Sequence, residues 1–307
     1  MQTRLLRFFI RFLGILPLLL LRTGGRFVGW LAYRIPNREQ ENTRTNIDLC
    51  FPDLSVEEKE ALIEETLKEN AITLLEMPAV WYGETQAWLS RLDMGRVPDE
   101  IRALMQQGKG VVIAMPHLGN FEISAHFFGA IGKATGLYRP PRKEELESVM
   151  LEGRNRPGQN RMVPTDRHGI KALYEALGNG ELIVILPDQQ PKTAKGGGGV
   201  FAPFFDVPAL TMTLVNRFAR KTGAPVYFIA FVRTGGKPEY KVIGLLAGED
   251  IVSRDAEKAA TELNAGVEKL ARQYPAQYQW TYRRFREQPD GSNPYKKRLF
   301  AIHGVKP

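Results

Sequence analysis

Two hydrophobic patterns divide the chain. Residues 5–21 are almost wholly apolar, Leu-Leu-Arg-Phe-Phe-Ile-Arg-Phe-Leu-Gly-Ile-Leu-Pro-Leu-Leu-Leu-Leu, with arginines breaking in from both sides. From about residue 110, short apolar runs alternate with amphipathic stretches. Runs 111–115 and 182–186 are continuous and read as strands buried on both faces. Runs 135–138, 161–163, 226–232 and 240–245 read as further strands, the last two pairing with each other. Helical periodicity predicts helices over 121–131, 144–155, 170–177, 210–221 and 257–272. This alternation indicates an α/β fold with a mixed, largely parallel central sheet flanked by helices. Upstream, Ser55 before Val56-Glu57-Glu58 is a capping box that starts a helix reaching residue 69 or beyond 75.

The N-terminal run invites three readings. Its uncharged part, 12–21, is ten residues, while a bilayer core takes about 20 in a helix. Arg4, Arg7, Arg11, Arg22 and Arg26 flank or interrupt it. A signal peptide would need a small-residue cleavage site, and none convincing follows. A marginal span would need Arg7 and Arg11 to snorkel. A basic, aromatic-rich helix could instead lie in the interface. The expectation is a retained membrane-anchoring helical segment over 1–35, of open depth, on the cytoplasmic side. Within it, Trp30 and Tyr33 suit an interfacial belt or a packed core equally. Residues 36–290 then form the main domain and 291–307 a tail.

Composition narrows the classes. With 307 residues, 43% of them hydrophobic, the chain can bury a large core. A net charge of +8 points to acidic partners: a lipid surface, an acidic carrier protein or nucleic acid. The nucleic-acid reading has charge alone and no recognition motif. The single Cys50 excludes an intrachain disulfide and a Cys-rich zinc site, and is expected to be a small buried residue. No internal repeat is present, and Gly196 to Gly199 is the one low-complexity segment.

Candidate chemistry centres on His117-Leu118-Gly119-Asn120-Phe121-Glu122, directly after the strand 111–115. Residues five apart sit roughly 140° apart on a regular helix. His117 and Glu122 therefore meet only across a strand–helix junction, with Asn120 as N-cap and Gly119 permitting the turn. The pair then reads as a general base and the carboxylate that orients it. A polar turn with a capping Asn is the plainer reading of the six residues alone.

Other segments carry weaker signals. Pro187-Asp188-Gln189-Gln190-Pro191 follows the strand 182–186. If the two strands are neighbours, Asp188 and Gln189 border the same cleft as His117. The loop 192–199 is basic and glycine-rich and could close over a phosphate or pantetheine-like group, but lacks a P-loop ending. Phe201, Phe204 and Phe205 would line an apolar slot or belong to ordinary core. Arg139, Arg142, Lys143, Arg154, Arg156 and Arg161 form a basic stretch able to clamp anions or simply to face solvent. His126, His168 and His303 have no metal-ligand spacing, and no Gly-x-Ser-x-Gly elbow supports a serine nucleophile.

Taken in order, these segments resemble the late acyltransferases of lipid A biosynthesis, within the wider glycerolipid-type acyltransferases. The resemblance rests on the N-terminal segment, Asn46-Ile47-Asp48-Leu49-Cys50-Phe51-Pro52 and His117-x4-Glu122. It continues through Tyr138-Arg139-Pro140, Gly153-Arg154, Pro187-Asp188-Gln189, Val200 to Phe205, and Thr211 with Arg220 to Val226, so it covers roughly residues 5–285. It implies a membrane-bound enzyme at the cytoplasmic face of a bacterial inner membrane. The enzyme would move an acyl chain from acyl carrier protein to a hydroxyl of a lipid A precursor, without a cofactor beyond that thioester co-substrate. His117 would be the general base and Glu122 its partner. Asn120, Arg139, Arg154, Asp188 and Gln189 would serve substrate binding, and Phe201, Phe204 and Phe205 the acyl slot. Backbone amides after His117 would suit the oxyanion. The Pro187-Asp188-Gln189-Gln190 segment differs from the Pro-Asp-His variant of some members, which leaves acceptor and chain length open. Another glycolipid or a lysophospholipid as acceptor, or a non-catalytic lipid-binding protein at a membrane surface, are the alternatives.

Overall fold

The computed structural model describes residues 2–141, 144–191 and 198–296. Four helices come first: α1 (Gln2–Gly14), α2 (Leu18–Arg34), α3 (Arg38–Cys50) and α4 (Val56–Tyr82). The capping box forms as read: Ser55 Oγ accepts from the Glu58 amide at 3.1 Å and Glu58 Oε2 from the Ser55 amide at 2.8 Å. The helix continues beyond residue 75 to Tyr82, the longer of the two extents expected, with Pro78 inside its last turns. α1 and α2 meet at a 116° bend, and neither alone is long and apolar enough to cross a membrane. Both pack on α4. Their other side exposes Phe8, Phe9, Phe12, Ile15, Leu19, Leu20, Phe27 and Val28. Cys50 is buried, as expected.

Next come α5 (Thr85–Leu89), β1 (Leu92–Asp93), α6 (Val97–Met105), β2 (Val111–Ala114) and α7 (Ser124–Ile131). β3 (Ala134–Tyr138), α8 (Glu144–Asn155), β4 (Arg161–Pro164), α9 (Arg167–Gly178) and β5 (Leu182–Ile185) follow. The rest is β6 (Gly199–Phe204), β7 (Val207–Met212), α10 (Leu214–Thr222), β8 (Val226–Arg233), β9 (Tyr240–Leu246) and α11 (Ala256–Gln273). Seven strands form the expected mixed, largely parallel sheet, ordered β1-β9-β8-β2-β5-β3-β4, with only β8 and β9 antiparallel. Successive side chains of a strand point to opposite faces. Val112, Ala114, Ile183 and Ile185 accordingly enter one core, and Val111, Ile113, Leu182 and Val184 the other. A strand buried on both faces cannot alternate with polar residues, which is why β2 and β5 are continuously apolar.

One element departs from expectation. The helix expected over 210–221 begins only at Leu214. Residues before it form β7, which pairs antiparallel with β6. The hairpin turns on two residues, Phe205 and Asp206, with φ of 51° and 60°. Both-positive φ matches the right-handed twist of a two-residue hairpin, yet Phe there is unusual. Its environment compensates: the Phe205 ring is wedged against Phe51 and Trp280 with the Arg272 guanidinium over it, and its amide donates to Glu268 at 2.7 Å.

Candidate functional site

β2 and β5 are parallel neighbours with Ala114 opposite Ile185. His117 and Asp188 each lie three residues past that last register pair, so the chain must bring them together. The Asp188 carboxylate accepts from the His117 ring Nδ1 at 2.8 Å and from the His117 amide at 2.8 Å. Burial opposes ionisation of Asp188, but the charge of His117 and the hydrogen bonds from it prevail and hold the carboxyl below its ordinary value. In the neutral ring, a proton on Nδ1 facing Asp188 leaves the lone pair on Nε2. The Gln189 amide nitrogen lies 3.3 Å from Nε2, and Phe121 meets the ring edge-on.

Gly119 makes this turn possible. Its φ is +65°, and a Cβ there would stand 2.0 Å from the Phe231 carbonyl oxygen. The turn is tied to its surroundings through its backbone. The Gly119 amide donates to the Gln277 carbonyl, the Asn120 amide to the Phe231 carbonyl, and Thr73 Oγ1 to the Gly119 carbonyl. The amides of residues 117–120 are thus already engaged, and the expected oxyanion donors among them are spent on the fold.

Glu122 faces elsewhere. A 3-10 turn, Phe121–Ile123, carries it toward α4 and α8. There Arg154 grips it through both nitrogens, Nε at 2.9 Å and Nη2 at 2.5 Å, and Trp81 Nε1 donates at 2.8 Å. Burial would raise the Glu122 pKa, but Arg154 and Trp81 outweigh it and lower it. The carboxylate in contact with the His117 ring is therefore Asp188, not Glu122. Gly153 explains how Arg154 arrives: a Cβ there would come within 2.4 Å of the Trp81 side chain, so only glycine lets α8 sit this close to α4.

His117, Glu122, Arg139, Arg154 and Gln189 all line one cavity of about 620 Å³ over the carboxyl ends of the parallel strands. This is where α/β sheets place ligands. Phe128, Ala134, Gly136, Met150, Met162 and Val184 supply an apolar portion of its wall.

A profile of the bacterial lipid A biosynthesis acyltransferases matches residues 2–287. The chain belongs to this family. It is 29% identical over 300 residues to a lipid A biosynthesis lauroyltransferase of Escherichia coli K12, covering 93% of this chain and 94% of that one. A palmitoleoyltransferase of the same organism is 27% identical over 270 residues, covering 88% and 86%. A myristoyltransferase is 23% identical over 283 residues, covering 91% and 84%.

Three further expectations need correcting. Asn120 does not cap a helix through its side chain and does not line the cavity; it is fully buried and its side-chain Nδ2 donates to Glu76 at 2.9 Å. Phe204 and Phe205 are buried in the core among Trp280, Tyr278 and Phe285, and Phe201 borders a separate small surface pocket. Phe204 enters the core from the hairpin, which packs on α11, and the left-handed turn at Phe205 folds its ring in beside it, so neither is left for the slot. The loop segment 192–197 and His303 lie outside the described residues.

Other residues carry no sequence signal. Glu76, fully buried, accepts from Arg22, Arg233 and Asn120, joining α2, α4, β8 and the His117 turn in one ionic cluster. Burial opposes its ionisation, but Arg233 and Arg22 together lower its pKa. His126 is a core residue, bonded to the Val80 carbonyl and Thr85, and burial lowers its pKa. Among the described residues no group of three His, Cys, Asp or Glu could hold a metal ion.

Proposed function

We propose that this protein transfers an acyl chain from the thioester of acyl carrier protein to a hydroxyl of a lipid A precursor, at the cytoplasmic face of a bacterial inner membrane. The observation that carries the reading is the His117–Asp188 pair, with the Nε2 lone pair presented to a cavity that is polar at the histidine and apolar along one wall.

His117 Nε2 takes the proton of the acceptor hydroxyl as the oxygen attacks the thioester carbonyl. A C–O bond forms and the carbonyl electrons move onto oxygen. When that oxyanion collapses, the C–S bond breaks and the sulfur leaves with the proton returned by Nε2. Asp188 holds the ring in the tautomer this requires and stabilises the imidazolium between the two transfers. Gln189, beside Nε2, is the polar group placed to meet the oxyanion, and the Arg154 guanidinium lines the same cavity. Glu122 acts through Arg154, as a positioning residue. The acyl chain lies along Phe128, Met150, Met162 and Val184. The relatives are named for lauroyl, palmitoleoyl and myristoyl groups, and a long apolar chain suits such a wall.

The test is incubation of purified protein with acyl carrier protein thioesters of graded length and a lipid A precursor, with products weighed by mass spectrometry. One added acyl chain is expected, with activity lost in a folded His117→Ala protein. Full activity in that variant would sink the mechanism. Addition to a lysophospholipid but not the lipid A precursor would reassign the acceptor.

A further inference from the structure

One end of the cavity is built for an anion that the catalytic pair does not explain. α10 begins there, and Thr213, Leu214 and Arg217 all line the cavity. The helix has no side-chain cap and no acidic residue in its first turn. A helix N-terminus carries roughly half a positive charge and unpaired amides. Arg217 places a full cation in that same turn, adding like to like. It is exposed, and among the described residues no carboxylate pairs with it. An isolated helix gains nothing from this arrangement, whereas a bound anion compensates both charges at once.

A second observation points to a ligand. Gln190 is buried, only 9% exposed, and among the described residues neither its side-chain amide oxygen nor its amide nitrogen has a partner. It lines the same cavity. Its neighbour Pro191 packs on Gly199, and the Gly198 carbonyl accepts from the Thr213 amide at 3.4 Å, so Gln190 lies close to the start of α10. A buried donor or acceptor left unpaired is unfavourable unless a ligand pairs with it. One free donor beside one free acceptor matches the two hydrogen-bonding groups of a ligand amide.

We propose that the α10 N-terminus and Arg217 form a subsite for a phosphate ester, with Gln190 pairing to an amide of the same ligand. The inference deepens the transferase reading and rests on it for the source of the phosphate. Both substrates of that reaction offer one: the phosphopantetheine arm of the carrier protein and the phosphorylated glycolipid.

Steady-state kinetics of the full chain separates the sources. KM is measured for each substrate at saturating levels of the other, in wild type, Arg217→Gln, Arg217→Lys and Gln190→Leu. Losing a charge-assisted phosphate contact should raise one KM about tenfold or more, with kcat held and partial recovery in Arg217→Lys. A rise for the thioester assigns the phosphate to the donor arm, and a rise for the glycolipid assigns it to the acceptor. Unchanged KM for both overturns the subsite. Calorimetric titration with inorganic phosphate and with pantetheine 4′-phosphate tests the site without turnover. Binding by wild type that is lost in Arg217→Gln is expected. Equal binding by both proteins, or by neither, overturns it. A wild type that binds phosphate but transfers no acyl chain would refute the transferase reading alone.

Discussion

At the scale of residues, two carboxylates divide the labour around His117. Asp188 touches the ring, and Glu122 touches Arg154. Replacing Asp188 by Asn keeps the shape but removes the charge and the preference for the productive tautomer. The expected result is a fall in kcat of about 10²–10⁴ with little change in KM, measured by product formation on a protein of unchanged circular dichroism. Glu122→Ala should behave differently. It leaves Arg154, 21% exposed at its side chain, without its anion, so the loss includes stability of about 3 kcal/mol, read by denaturant midpoint. The Glu122 carboxyl is also held below its ordinary value when folded. A depressed folded pKa means the stabilisation is present above the unfolded value, about 4.3, and is lost as pH falls through the folded one. Melting temperature against pH should therefore drop on the acid side in wild type and less steeply in Glu122→Gln. Parallel acid limbs would refute the linkage. His117 was legible because it ends an apolar run. Glu122 stands near it in sequence, whereas the contact of Asp188 with its ring was not legible, because the pairing of β2 with β5 brings that residue across 71 positions.

At the scale of elements, glycine and proline decide where helices sit. α8 holds Arg154 against Glu122 only because Gly153 presents no Cβ to Trp81. Gly153→Ala adds one methyl to a closed contact and should push α8 outward. A destabilisation of about 1–3 kcal/mol is expected from overpacking, with activity falling further than stability because the Arg154–Glu122 geometry opens. Thermal melts and kcat on the same preparation check this, and a fully active variant of wild-type stability would refute the close-contact argument. The sheet strands were legible for a simple reason: β2, β5 and β8 are buried on both faces and read as unbroken apolar runs. The β6–β7 hairpin was not. Its turn carries Phe-Asp where Asn-Gly would have announced it, and the residues 210–212 continue into α10 without a polar break. The two-residue β1 and the short α5 were equally silent, since neither is long enough to show a period.

At the scale of the molecule, the exposed apolar face of α1 and α2 has to be reconciled with a net charge of +8. Phe8, Phe12, Leu19 and Leu20 lie open to solvent on two helices that turn through 116°, as does Ile15 in the bend between them. In the proposed membrane-bound reading this face is the docking surface. The bend divides the apolar run into two short helices, and that reading lays them in the headgroup layer rather than across it. The excess of basic residues adds attraction to an anionic surface, although Arg11, Arg22 and Arg26 are already paired with carboxylates. Two separable components of binding follow. Vesicles with anionic lipid should retain the protein better than neutral ones, and rising salt should erode that difference within the range where screening acts. Neutral vesicles should still hold a residual fraction that salt does not remove, carried by the apolar side chains. Phe12→Glu with Leu19→Glu should abolish that residual fraction in co-sedimentation, leaving the fold intact by circular dichroism because both side chains point away from α4. Acyl transfer to a glycolipid presented in vesicles should fall in proportion, while transfer to the same lipid dispersed in detergent should hold. Retention of the double variant on neutral vesicles at wild-type levels would show that this face does not dock the membrane.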